Sequence, residues 1–229
     1  SIKYGSFSVS IIDKEVLKKI NFKKKPSKNK IFTSLKLNNI TYMLPDTKQI
    51  LKFKNFEIFK DDKVLIYGKS GAGKSTLLDI LSGFKKQTSG DIILNGSSRN
   101  LNLENFITYL PRDILILENS YRNNILLNFD EKNTNKKINY NNEIMQFKKN
   151  LIKSNNISNL SSGETKRLGI NRVLNNSKQV LLLDEPTAGL DLDIENKIIE
   201  YLGNLKNITL IIVSHQLNFK KICNKIIKI

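Results

Sequence analysis

The sequence predicts an α/β fold with a mostly parallel sheet, preceded by an antiparallel β subdomain and interrupted by an inserted, mostly helical region. Three observations carry this reading. KVLIY (63–67), QVLLLDEP (179–186) and ITLIIVSH (208–215) are apolar runs too continuous for half-exposed strands, so they suit a sheet buried on both faces. Segments of helical character separate them, as in units that cover such a sheet with helices. Ahead of them, SLKLNNITYM (34–43) and ILKFKNFEIF (50–59) alternate apolar and polar residues, as half-buried antiparallel strands do.

In chain order, residues 1–30 stand apart. SVSIIDKEVLKKI sets Val9, Ile12, Val16 and Ile20 near one helical face, and the charged, Pro-containing NFKKKPSKNK follows. This predicts a tail helix and linker at 1–30 and a domain over 31–229. The chain starts at Ser1 without an initiator Met, so a piece of a longer protein is expected. After KVLIY, KSTLLDILS (74–82) is helical and Gly83 is suited to its C-terminal cap. TSGDIILNG reads as turn, strand and turn, and NFITYL (105–110) as a strand. Residues 113–160 are polar and rich in Asn and Lys, with helical periodicity at NEIMQFKKNLI; they predict the inserted helical region, at about 113–165. SSGETKRLGINRVL and IENKIIEYLGNL are predicted helices, and no internal repeat is visible.

Composition narrows the function classes. No apolar run reaches the ~18 residues of a membrane-spanning helix, and no secretory signal is visible in these residues. The single cysteine, Cys223, excludes an internal disulfide framework or a cysteine-cluster metal site and fits a reducing compartment. The net charge of +17 invites a nucleic-acid partner. However, only Arg99, Arg112, Arg122, Arg167 and Arg172 among the 38 basic residues are arginines. The shared excess of Lys, Asn and Ile reads as coding bias, and no aromatics are interleaved with Arg for stacking on single strands. A surface for anionic lipid headgroups is the intermediate reading.

Four short stretches carry chemistry. Gly68-Lys69-Ser70-Gly71-Ala72-Gly73-Lys74-Ser75, followed by Thr76, fits G-x-x-x-x-G-K-[ST] between a predicted strand and a predicted helix. Its glycines let backbone amides wrap an anion, and the helix N-terminus adds its dipole. Lys74 is expected on the outer phosphates and the Ser75 hydroxyl on Mg²⁺. The run Val180–Leu183 ends in Asp184 and Glu185, placed to hold Mg²⁺ through water and to polarise an attacking water. Ser161 and Glu164 form an S-x-x-E capping box, which needs no function, yet Ser161-Ser162-Gly163-Glu164 opening a helix also suits a second phosphate on another subunit. His215, the one histidine, closes a predicted strand, where a structural role is the commoner one.

Taken in order, the phosphate loop, LSSGE, LLLDEPTAGLD and SHQ resemble the nucleotide-binding domain of ABC ATPases, most nearly the exporter type, over roughly 31–229. TSGDIILNG and LPRDILILENSYRNNILL fit the same pattern. The resemblance implies a P-loop NTPase core and an ATPase that uses ATP and Mg²⁺. It implies a head-to-tail pair of cassettes, expected as a homodimer, with each ATP held between the phosphate loop of one and Ser161–Glu164 of the other. It implies Glu185 as general base, His215 on the terminal phosphate, Asp191 in the D-loop, and a transmembrane domain of the same longer polypeptide at the cytoplasmic face of an inner or plasma membrane. The sequence departs from the pattern in four places. Arg112 stands where the Q-loop glutamine is expected. Ser162 replaces a glycine and Glu164 a glutamine. The segment between Arg112 and Ser161 is short. The adenine-stacking aromatic is matched by Tyr42, or, without a gap, by Leu44. Two other functions stay open: an ATP-binding regulatory module with little turnover, and a non-transport ABC ATPase acting on nucleic acid.

Overall fold

The computed structural model describes residues 31–99, 101–117, 119–127, 138, 157 and 160–229. The chain divides into two compact units, Ser1–Ile31 and Phe32–Ile229. The tail helix and linker expected at 1–30, the helix expected at 142–152 and most of the inserted region lie outside the described residues.

Two sheets organise the second unit. The first is antiparallel and centred on β1 (Ser34–Met43), which pairs with β2 (Ile50–Lys52), β3 (Phe56–Phe59) and β5 (Ser89–Leu94). The second is parallel throughout, in the order β6 (Ile107–Leu110), β7 (Val180–Asp184), β8 (Thr209–Val213), β4 (Lys63–Tyr67), β9 (Lys225–Lys228). Helices α1 (Lys74–Leu81), α2 (Tyr121–Leu126), α3 (Ser162–Asn175) and α4 (Leu192–Asn204) accompany it.

The period-2 alternation of a strand sorts the parallel sheet into two cores. Val64, Ile66, Val180, Leu182, Ile211 and Val213 join α1 and the antiparallel strands in one cluster. Leu65, Leu181, Leu183, Leu210 and Ile212 join α3 and α4 in the other. All are buried, which is why these strands show no polar alternation in sequence. A smaller cluster packs Tyr121, Ile125 and Leu126 of α2 against Leu168 of α3.

Two predicted elements differ in detail. The segment 50–59 is two strands, not one, because Phe53 turns inward, is buried and donates its amide to the Ile40 carbonyl. The edge strand β9 was not predicted: KIIK is short, and only Ile227 in it is buried.

β1 shifts register against β5 between Asn38 and Thr41. Gly90 passes that irregularity at φ 87°, and a Cβ there would stand 2.3 Å from the Asn39 carbonyl oxygen. Gly96 has φ 78° with open space around it. Gly90→Ala therefore adds a backbone clash to the cost of a positive φ, whereas Gly96→Ala adds only the latter, about 1 kcal/mol. In thermal unfolding we expect Gly90→Ala to lose at least about 2 kcal/mol and Gly96→Ala about half of that or less.

Candidate functional site

Register places the chemistry. Ile66 of β4 and Asp184 of β7 both pair with Val213 of β8, so three adjacent parallel strands end on one line. The segments that follow them, Gly68–Gly73, Glu185 and Ser214–His215, meet at the carboxyl edge of the sheet, where open α/β sheets place their ligands.

The Gly68–Gly73 loop fits closely. A Cβ on Gly68 would lie 2.1 Å from the Ile229 carbonyl oxygen. Gly71 and Gly73 have φ of 79° and 86°. Gly73 caps α1 without a side-chain hydrogen bond, so the first amides of α1 are left to an anion. The buried Lys74 ammonium donates to the Gly68 and Lys69 carbonyls at 2.9 Å each. Burial lowers its pKa, against the opposing pull of Glu185 and Asp184.

His215 stands between Lys74 and Glu185. Its Nδ1 lies 3.4 Å from the Lys74 ammonium, so it accepts there. Its Nε2 lies 3.3 Å from Glu185 Oε1, which fixes the Nε2–H tautomer. Glu185 Oε1 also accepts from the His215 amide at 2.9 Å. Glu185 holds φ 48°, a left-handed conformation maintained by its amide donating to the Val213 carbonyl.

Asp184 is 1% exposed and neither carboxylate oxygen has a hydrogen bond of ordinary geometry. Burial raises its pKa, while the adjacent Ser75 hydroxyl, Lys166 and Arg112 favour the ionised form. Two orphaned buried oxygens beside a serine hydroxyl fit a hard divalent cation such as Mg²⁺, which takes oxygen donors and shares its shell with substrate phosphates.

Around these groups lies an open cavity of about 210 Å³ lined by Ser70, Gly71, Gly73, Lys74, Ser75, Thr76, Arg112, Asp184, Glu185 and His215, with Leu44 and Leu51 on its apolar side. Tyr42, the aromatic expected to stack on adenine, does not line it; its ring packs on the core with the Lys85 ammonium 5.8 Å from the ring centre. Leu44, the gap-free match, takes that place. Leu51, which opposes Tyr42 in the β1–β2 register, carried no signal in the sequence.

Ser161, Ser162, Gly163 and Glu164 also lie off this cavity, at the start of α3. The capping box is present: the Ser161 amide and hydroxyl donate to Glu164 Oε2 at 2.9 Å each. Asp191 caps α4, accepting from the Ile194 amide at 3.0 Å. Lys166, not singled out in the sequence, is buried in α3 and donates to the Arg112 carbonyl at 2.9 Å.

A neutral residue at position 184 should relieve the nucleotide-free fold. The folded-state pKa of Asp184 is raised, so the cost of holding it ionised applies above that pKa and fades as pH falls through it. We expect Asp184→Asn to raise the unfolding midpoint of the nucleotide-free protein at pH 8 by a few degrees, for about 1 kcal/mol or more. The gain should shrink toward pH 4, and calorimetry at both pH values checks it.

Comparison with known proteins agrees with this geometry. The family model described as ABC transporter matches residues 51–188. The lactococcin-G-processing and transport ATP-binding protein LagD of Lactococcus lactis is 30% identical over 88% of this chain and 30% of its own length. The molybdate/tungstate import ATP-binding protein WtpC of Methanocaldococcus jannaschii is 36% identical over 80% of this chain and 63% of its own. The chain thus spans about 30% of the length of the lactococcin relative. A bacterial Atm1-family ABC exporter with ATP bound superposes with a TM-score of 0.75 at 21% identity, over 98% of this chain and 42% of that one. A dimeric ATP-binding cassette in a post-hydrolysis state with ADP and Pi gives 0.68 at 24% identity, over 85% and 94%. At those identities the structural likeness shows the fold.

Proposed function

The chain belongs to the ABC transporter family, and from that premise we propose that it is an ATP-hydrolysing cassette that pairs head to tail with a second copy and powers an exporter-type transporter from the cytoplasmic face of its membrane. One observation carries the reading: Lys74, Ser75, Asp184, Glu185 and His215 converge on a single cavity at the sheet edge.

The chemistry follows from those positions. The loop amides of residues 68–73 and the N-terminus of α1 bind the phosphates, and Lys74 neutralises the outer ones. Ser75 and Asp184 would hold Mg²⁺, which supplies charge neutralisation on the phosphate oxygens. A water attacks the terminal phosphorus, the bond to the bridging oxygen breaks, and Glu185 takes the water proton, giving ADP and phosphate. His215 keeps Glu185 oriented through Nε2–H and the backbone amide and faces the terminal phosphate. On the base side, Leu44 and Leu51 offer an apolar contact for adenine.

The cavity is smaller than the roughly 300–1,000 Å³ of an enclosed small-molecule site. Ser161–Glu164 lie away from it in the same chain. Both facts favour a site completed by a second cassette, with Ser161, Ser162, Gly163 and Glu164 facing the partner's ATP and Asp191 near the contact. No helix among the described residues is long and apolar enough to cross a membrane. A transmembrane domain in the same longer polypeptide is the expected partner, and the names of the longer relatives support this reading.

The test is the ATPase rate against protein concentration with Mg²⁺. A rate rising faster than linearly, and falling at least about 100-fold in Glu185→Gln, is expected. ATP binding without turnover in the full-length protein would instead identify a regulatory module.

A further inference from the structure

One face of α3 grips the segment that leaves β6. Lys166, Gly169 and Arg172 are spaced by three and lie on a common face of the helix. Lys166 donates to the Arg112 carbonyl at 2.9 Å. At Gly169 a Cβ would stand 2.4 Å from Ile114 Cδ1 and 2.9 Å from Leu110 Cδ1, so helix and segment touch without an intervening side chain. Arg172 donates to the Leu115 carbonyl at 3.0 Å. Residues 110–115 are thus held against α3 at three successive points.

The first of these points is unusual. Lys166 is 8% exposed, and a buried ammonium is costly to desolvate. Its hydrogen bond fixes the backbone of Arg112, a residue exposed overall whose side chain lines the phosphate cavity beside Lys74, Ser75, Asp184, Glu185 and His215. A guanidinium in that position matches phosphate oxygens through its planar fork, and unlike a glutamine it always carries charge.

We propose that Lys166 is a positioning residue for the ATPase reaction: it registers Arg112 on α3 so that the guanidinium meets the terminal phosphate, giving the site a preference for ATP over ADP. The inference rests on the ATPase reading above. ADP lacks the group that Arg112 would touch, so the contact shows as discrimination between the two nucleotides. Because α3 begins at Ser162, directly after its cap Ser161, the same helix that carries Ser161–Glu164 sets where Arg112 points.

Charge alone is the competing explanation: burial lowers the Lys166 pKa, Asp184, Asp113 and Glu185 oppose that shift, and Arg112 adds to it, so Lys166 also feels the charges of the site directly. The experiment separates the two. In the full-length protein with Mg²⁺, affinities are measured for the non-hydrolysable imido analogue of ATP and for ADP. Arg112→Gln is expected to lower the preference for the analogue by about 10-fold. Lys166→Met should lower it equally, the double variant no further than either single, and Lys166→Arg should restore most of it. The unfolding midpoints of Lys166→Met and Lys166→Arg are measured alongside, and affinities are compared where both variants are folded. Gly169→Ala, whose Cβ has to displace the ends of the Ile114 and Leu110 side chains packed on α3, should reduce the preference by a second route. A wild-type preference in both Lys166→Met and Gly169→Ala overturns the proposal. So do losses that multiply in the double variant, since Lys166 would then act on the phosphates by its own charge. Wild-type protein that binds neither nucleotide overturns the ATPase reading itself.

Discussion

The site depends on one constraint: β4, β7 and β8 are parallel neighbours whose carboxyl ends are in register. Val213 pairs with Ile66 on one side and Asp184 on the other. Shifting any of these strands by two residues would carry its terminal group several ångströms away, and a shift by one would also exchange the two cores. The register is held by burial on both faces, so the forces that stabilise the fold also position the phosphate loop, the carboxylates and the histidine.

The polar groups at this edge are not reconciled with one another. Lys74 is satisfied by loop carbonyls and by His215. Glu185 is held by the His215 amide and imidazole, in a strained backbone conformation. Asp184 has two buried oxygens without a hydrogen bond of ordinary geometry, beside the Ser75 hydroxyl. Such a group is costly in a folded protein and recurs at sites made to receive a ligand. The capping box at Ser161 presents the opposite case, because its donors are internally satisfied by Glu164. Under the proposed head-to-tail pairing, a phosphate of a second cassette would have to compete with that carboxylate for the Ser161 amide and hydroxyl.

Much of this was legible in the sequence, for physical reasons that also explain the gaps. Strands buried on both faces print as unbroken apolar runs, so β4, β7 and β8 were visible, and Gly68–Ser75 stood out by its glycines, Lys74 and Ser75 between a strand and a helix. The capping box at Ser161 and Glu164 was visible because it is local. What was hidden depends on tertiary register. Tyr42 and Leu44 are two residues apart, and only the placed end of β1 shows that Leu44 borders the cavity while Tyr42 packs on the core. β9 owes its existence to pairing with β4, not to its own four residues. Lys166 sits in a helix that reads as polar, and nothing local distinguishes a lysine that is buried from one in solvent.

That last point bears on how the positive charge of the chain is to be understood. A net charge of +17 contributes to solubility and to weak, salt-sensitive attraction. At the sheet edge, Lys74 is held by two carbonyls, and Lys166 holds the backbone of Arg112. A cation pinned in geometry opposes a developing negative charge without reorganising, whereas a mobile surface lysine first has to be ordered. On the proposed reading, selectivity for a triphosphate would belong to the few charges that the α3 contact and the strand register place at this edge, and salt would screen the exposed charge of the chain more than these.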